Sequence, residues 1–335
     1  MKSNPIFIGG PDRCGKTTLR AFLVSHPNIS IPAVGSNMWT YFYGQFGDLG
    51  DPDNLDRCLD AMLHYKHVAF LNPDVERIRR EFSQGEATYA RLFALFQEHH
   101  AEREGKPRWG DQTGLVERYA DQIFIAYSGA KILHMIRDPR DRYEASLALW
   151  PKGKGRAGGA TARWQYSTGL AERNLKKYPQ GYMTVRFESL VANPESTLKE
   201  ICNFIDEDYT PSMLTMDGAQ KFRAQIGKGE GEKLLSEAYI GKYRGSIPDQ
   251  EIAFMQRYLK NRMHVYNYEL DQIYFSSREQ LKFWTQTWPK NLFRMYAWRI
   301  RESLQHNFPG KFGRKPGARL ILERGSAYKV SDVNK

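Results

Sequence analysis

Gly10, Gly15, Lys16 and Thr17 in GGPDRCGKTT (residues 9–18) complete the spacing G-x-x-x-x-G-K-[ST]. Glycines at those places let the backbone turn until its N–H groups converge on an anion, and Lys16 adds a cation at the same point. Such a loop serves the transfer of phosphoryl-like groups, with ATP, GTP or another phosphorylated donor as ligand. Arg13 and Cys14 stand inside it too. A thiol beside basic groups has the setting of a lowered pKa, although a small loop residue is the simpler reading of Cys14. A second basic group follows the apolar run AKILHMI: Arg137 opens RDPRDRYEAS, where a helix should begin near Pro139. A strand end, a guanidinium and a helix N-terminus meeting at one place form another anion site. Two such sites, at 10–18 and 137–146, suit a nucleoside with phosphates at both ends.

Magnesium-dependent phosphoryl transfer needs more than the loop. Thr17 would give one ligand, and an Asp after an apolar strand the other. Asp138 stands at such a place, but Arg137 precedes it, Pro139-Arg140 follows, and an adjacent guanidinium competes for the same carboxylate. A P-loop kinase or NTPase using Mg-ATP is therefore the alternative reading. Cys14, Cys58 and Cys202 are odd in number and far apart, and the eight histidines show no H-x-x-x-H or Cys/His clustering, so neither disulfide nor metal is expected.

The elements needed to hold these groups can be read from the chain. PIFIGG is a short buried strand, and TTLRAFLVSHP a helix ending at His26-Pro27. Residues 36–104 read as mostly helical, RWGDQ (108–112) as a strand, and AKILHMI (130–136) as the second major strand. WPKGKGRAGGATARW (150–164) reads as a basic, glycine-rich loop able to close over an anionic acceptor. A helix to Tyr178, a strand at 182–188, a capped helix in NPESTLKEICNFI, a loop at 240–247 and a helix from Pro248 follow. Alternating strands and helices predict an α/β fold: a P-loop-like parallel sheet flanked by helices on both faces, with ligands at the carboxyl ends of the strands. His134, alternating within an apolar strand, reads as a satisfied core histidine.

The net charge of +11 is unevenly placed. Residues 273–335 hold thirteen Lys/Arg against four Asp/Glu, leaving 36 against 34 in residues 1–272. The division expected is an α/β domain at 1–272 and a basic, helical C-terminal extension at 273–335. With a nearly neutral main body, anion affinity must come from particular sites, and no specific nucleic-acid partner is expected; a non-enzymatic binder using the basic tail is the third reading. In the tail Trp288, Leu292, Phe293, Tyr296, Ala297, Ile300 and Leu304 recur at helical spacing, with Lys290, Arg294 and Arg301 read as the opposite face. Packing against the domain with the basic face solvated is preferred to peripheral contact with an anionic membrane through 281–305. No run reaches the roughly 18 apolar residues of a membrane helix, and MKSN leads straight into the first strand, so a cytoplasmic location, with or without membrane contact, is expected.

Five stretches in order resemble the sulfotransferases that use 3′-phosphoadenylyl sulfate (PAPS): PIFIGGPDRCGKTTLRAFLVSHP, RWGDQT, KILHMIRDPRDRYEAS, VRFESLVANPESTLKEICNFI and IGKYRGSIP, over about residues 5–270. The resemblance implies PAPS as donor, 3′-phosphoadenosine 5′-phosphate as product, no metal, and a hydroxyl or amine acceptor on a carbohydrate, lipid or small molecule. It carries the catalytic cation onto Arg13, with Lys16 an additional cation. Donor contacts fall on Gly10, Arg13, Cys14, Gly15, Lys16, Thr17 and Thr18, and the 3′-phosphate arginine on Arg137. The late glycine-basic loop falls on Lys242 and Arg244. The family's 3′-phosphate serine would fall on Ala145, and Ser146 is one place later. The family's frequent glutamate base falls near Gly35–Asn37, where no carboxylate stands, and Gln112 replaces the lysine common after the acid of RWGDQT. Asp111 is the first candidate for the base, ahead of Glu117 and His64.

Overall fold

The computed structural model describes residues 4–149, 155–219 and 237–322. Five strands, β1 (Ile6–Gly9), β2 (Ile29–Ser30), β3 (Arg108–Gln112), β4 (Lys131–Ile136) and β5 (Tyr182–Arg186), form one sheet in the order β2-β3-β1-β4-β5. Every pairing is parallel, with Ile8 opposite Gln112 on one side and Leu133 on the other. A sheet of this kind is buried on both faces, which is why β1 and β4 are apolar almost throughout. Alternate side chains go to opposite faces. Phe7, Ile132 and Tyr182 pack under α3 (Pro52–Leu63), α5 (Val75–Phe82), α6 (Tyr89–Arg103) and α7 (Ala120–Ala126). Ile6, Ile8, Leu133, Met135 and Val185 pack under α1 (Lys16–Leu23), α10 (Phe187–Ala192) and α11 (Pro194–Phe204). The expected α/β architecture, with helices on both faces, is present.

Local readings needed correction at four places. The two-residue β2 is too short to show a period and was not expected. Asn193 precedes α11 but its side chain makes no capping bond. Of the glycine-rich stretch, 150–154 lie outside the described residues, and from Ala157 onward the chain is already α9 (Ala157–Lys177). Gly158 is not a hinge: a Cβ there would come within 2.0 Å of the Asn291 carbonyl, so glycine is what lets α14 (Trp288–Asn307) approach α9.

That approach shows the fourth. Asn291, Met295, Trp298 and Glu302 are the buried residues of α14, while Phe293, Tyr296, Ile300 and Leu304 are exposed. The tail does pack on the domain, but through another face than expected. Two of its inward residues are polar, and each has a partner: Gly158 N donates to Asn291 Oδ1 at 2.8 Å, and Glu302 pairs with Arg118 and Arg314. Arg118 and Glu302 side chains are each only 2% exposed. Trp298 meets Tyr166 of α9 edge-on at 5.7 Å. Beyond α14 the chain returns to the α3–α4 corner (α4, Lys66–Ala69), where Leu322 N donates to His64 O at 2.7 Å. Removing one member of a buried ion pair strands the other charge in an apolar site. Glu302→Ala should therefore lower the unfolding free energy by about 3–5 kcal/mol in urea titration; a loss under about 1 kcal/mol would mark the pair as no better than a surface one.

Candidate active site

β1 ends at Gly9, and the chain turns through Gly10 (φ 104°), Arg13 (φ 65°) and Gly15 (φ 88°) before α1 starts at Lys16. Gly10 and Gly15 are required twice over. A Cβ would lie 2.3 Å from Met135 O at Gly10 and 2.3 Å from the Phe187 ring at Gly15. Left-handed backbone in a non-glycine residue costs of order 1 kcal/mol or more and is kept where the surroundings impose it; Arg13 is such a residue. Gly15 has no side chain to cap α1, so the first-turn N–H groups of that helix stay available to an anion.

Side chains lock the loop from three sides. Asp12 accepts from Arg142 of α8 (Pro139–Leu149) and, at 2.7 Å, from Arg163 of α9, while its carbonyl accepts Arg142 Nε at 3.0 Å. Burial alone would raise the Asp12 carboxyl, but Arg142 and Arg163 hold it far below the usual carboxylate range. From beneath, Glu117 Oε2 accepts Gly10 N at 3.2 Å, and Glu117 Oε1 accepts Ser167 Oγ. Ser167 in turn lies 3.3 Å from His134 Nε2, whose Nδ1 is 2.7 Å from Tyr182 OH, which satisfies the core histidine. Lys16 Nζ donates to Gly10 O (2.8 Å) and Pro11 O (2.6 Å), and burial lowers its pKa. Cys14 is buried, and burial pushes its thiol up to about 11, so it is an inert loop residue and no activated thiol. Thr17 is exposed and Thr18 buried on the first turn of α1.

The second basic segment meets the first. Arg13, exposed, donates from Nε to Ala145 O of α8 at 3.1 Å, and Arg137 Nη1 donates to Arg13 O at 3.1 Å. Arg137 pairs with neither neighbouring aspartate. Asp138 is taken by Arg140 through N, Nε and Nη2, and Asp141 accepts Gly241 N and Tyr243 N. Arg137 Nη2 reaches Tyr239 O at 2.6 Å, its face lies over Phe187, and its buried Nε has no partner. Ser146 is one residue from the Arg13 contact, its Oγ bonded to Tyr143 O. Lys242 reaches Glu144 of α8 at 3.3 Å, whereas Arg244 pairs with Asp271 at 2.8 Å. Both oxygens of Asp138 are bound by Arg140, whose guanidinium would compete with a magnesium ion there, and no group of three or more His, Cys, Asp or Glu among the described residues could hold a metal.

Asp111, on β3, is 1% exposed, and Ser36 N (3.1 Å) and Ser36 Oγ (2.5 Å) donate to its two oxygens. Burial raises its carboxyl to about 6, opposed by the Ser36 bonds. These contacts anchor the 35–37 corner to the end of β3. His64 bonds within its own helix, at Asp60 O. His67 was missed. Its Nδ1 lies 2.9 Å from both Gly35 O and Tyr65 OH, which tie the ring to the 35–37 corner through that nitrogen. His67 is partly exposed, its Nε2 has no partner among the described residues, and burial lowers its pKa, keeping it neutral near pH 7. The same corner bonds through Asn37 Oδ1 to Gly114 N, beside Thr113, whose N–H donates to Ile8 O of β1. His67 gave no signal in sequence, because its contacts with Gly35 and Tyr65 exist only in the fold.

A family model described as the sulfotransferase family matches residues 5–211. The chain belongs to the sulfotransferase family. Among solved structures, the sulfotransferase domain of the olefin synthase of Synechococcus PCC 7002 aligns with 80% of this sulfotransferase and 97% of its own length, at 20% identity and TM-score 0.58, which shows a shared fold. A sulfotransferase domain from the curacin biosynthetic pathway aligns over 80% and 99%, at 16% identity and TM-score 0.49. Curated proteins gave no sequence match. No helix among the described residues is long and apolar enough to cross a membrane.

The pH dependence of stability tests the Asp111 environment. Its folded-state carboxyl is raised, so the native state resists ionisation: stability is intact below pH 4 and falls as pH rises through about 6, by about 3 kcal/mol in all. Asp111→Asn lacks that penalty, so its stability relative to the parent should rise between pH 4 and 7. A difference independent of pH in urea titrations would mean that Asp111 is ionised freely in the fold.

Proposed function

We propose that this sulfotransferase moves a sulfuryl group from PAPS to an acceptor hydroxyl or amine, and that the loop of residues 10–18 and the segment 137–146 hold the two phosphate ends of the donor. The observation that supports this most is the contact between them, Arg13 to Ala145 and Arg137 to the Arg13 carbonyl, which makes one anion-binding surface of two distant stretches. The fit rests on the left-handed turns at Gly10 and Gly15 that shape the loop, on the uncapped N-terminus of α1, and on the unpartnered Nε of Arg137. PAPS supplies an activated sulfuryl group whose leaving phosphate gains negative charge. Arg13, exposed and fixed across α8, meets that charge; Lys16 shapes the loop through its own carbonyls and adds positive potential. Ser146, Thr17, Thr18 and Lys242 complete the donor surface, and Arg244, tied to Asp271, supports the 240–247 loop. His67 Nε2 takes the acceptor proton, and Asp111 positions the corner that holds His67.

The acceptor enters beside Asp12. Arg163 and Arg314 lie near that side with Tyr41 and Tyr166, linked by Arg118, whose guanidinium lies over the Tyr166 ring and pairs with Glu302, the partner of Arg314. An excess of guanidinium over carboxylate there favours an acceptor carrying an anionic group, whether carbohydrate, lipid or small molecule.

Binding of 3′-phosphoadenosine 5′-phosphate in calorimetry with EDTA present is the direct check. Arg137→Ala should weaken it at least tenfold, while Arg13→Ala should leave binding within a few-fold and lower kcat by about 10²–10³. Stabilisation by Mg-ATP alone, with no response to the bisphosphate, would turn the assignment to a kinase or NTPase. The base is read from the pH–rate profile with an acceptor found by screening neutral and anionic hydroxyl compounds. Activity should fall as pH drops below the ordinary histidine range, and His67→Ala should flatten that limb. An unchanged limb in His67→Ala that disappears in Asp111→Asn would make Asp111 the base.

A further inference from the structure

Helix α14 has a second apolar face that no described residue covers. With Asn291, Met295, Trp298 and Glu302 turned inward, Phe293, Tyr296, Ile300 and Leu304 are 74%, 55%, 63% and 39% exposed. At about 100° per residue these four fall on one stripe, opposite the buried one. Phe308 and Phe312 continue the exposed apolar surface past the end of the helix. Single exposed apolar side chains are ordinary, but a stripe of large ones marks an interaction face.

Charge decides the occupant. Lys290 and Arg301, both exposed, flank the stripe, and Lys311 lies beyond it. From Ser277 to Leu322 there are only two carboxylates: Glu302 is buried, and Glu279 closes the capping box of α13 (Ser277–Lys282). The face is thus apolar and cationic with no acid upon it. A second copy packed two-fold would set the Lys290 and Arg301 of one chain against those of the other. One helical ridge also offers less than the roughly 800 Å² per partner of a stable interface. An anionic lipid surface meets both features, with rings and aliphatic groups entering the acyl boundary and cations meeting headgroups. We propose that α14 docks this sulfotransferase on an anionic membrane surface, lying in the interfacial plane with Phe293, Tyr296, Ile300 and Leu304 inserted.

The full chain is sedimented with vesicles of phosphatidylcholine alone or mixed with phosphatidylserine. Binding is expected to the mixed vesicles only, weakening as salt rises. Phe293→Ser combined with Ile300→Ser should weaken it about tenfold or more, and Lys290→Glu with Arg301→Glu should do the same. Both pairs are exposed, so melting transition and bisphosphate binding should stay at parent values and exclude misfolding. No binding to mixed vesicles, equal binding to both kinds, or full binding by the serine variant would each overturn the proposal. So would a parent dimer that the serine variant converts to monomer without any vesicle binding, which would assign the face to a second copy.

Discussion

A loop that leaves the first N–H groups of its helix uncapped cannot be held by the hydrogen bonds that hold an ordinary turn, and Asp12 resolves that conflict. Its carboxylate draws Arg142 from α8 and Arg163 from α9, and its carbonyl takes Arg142 again. Buried guanidinium needs an acceptor, and Asp12 supplies one at the loop tip without occupying the donors at the start of α1. Glu117 does the corresponding work beneath, at Gly10 N. The loop therefore keeps its left-handed residues because acids on one side and arginines on the other leave them no alternative. With these ties in place, Arg13 can cross to α8 and bring the loop against the segment that starts at Arg137.

The same economy of charge separates sulfuryl from phosphoryl transfer. A magnesium site would need Asp138 with its oxygens turned toward Thr17. Arg140 instead binds that carboxylate through both side chain and backbone, and Gln256, Asp271 and the Glu269 carbonyl hold Arg140 in turn. The carboxylate is structural, and the cation left facing the loop is Arg137. A loop spacing shared by two reaction classes is thus resolved by what its neighbours have already bound.

How far the sequence reveals this depends on how local each cause is. The strands at 6–9 and 131–136 are apolar nearly throughout, and the phosphate loop is a contiguous pattern, so each could be read in place. Residues whose meaning lies in a distant partner could not. Gly158 reads as loop because helices disfavour glycine, until Asn291 is seen pressing on it. Glu302 draws no notice in the sequence because its partners, Arg118 and Arg314, lie 184 and 12 positions away. Asp111 carries the chemistry of a base in its residue type, but its bonds to Ser36 are visible only in the fold, as are the contacts of His67 with Gly35 and Tyr65.

The extension is also more than an appendage, because one short segment connects it to the loop. Glu117 and Arg118 are consecutive in the 3₁₀ turn Val116–Tyr119 after β3. The first bonds Gly10 at the root of the phosphate loop, and the second pairs with Glu302 on the inner face of α14. A buried ion pair is weak evidence for stability but strong evidence for register, since it is satisfied at only one setting of the two elements. The rotation that brings Glu302 to Arg118 also determines which side chains of α14 face outward. The stripe of Phe293, Tyr296 and Ile300 is thereby set by the same turn that bonds the root of the phosphate loop.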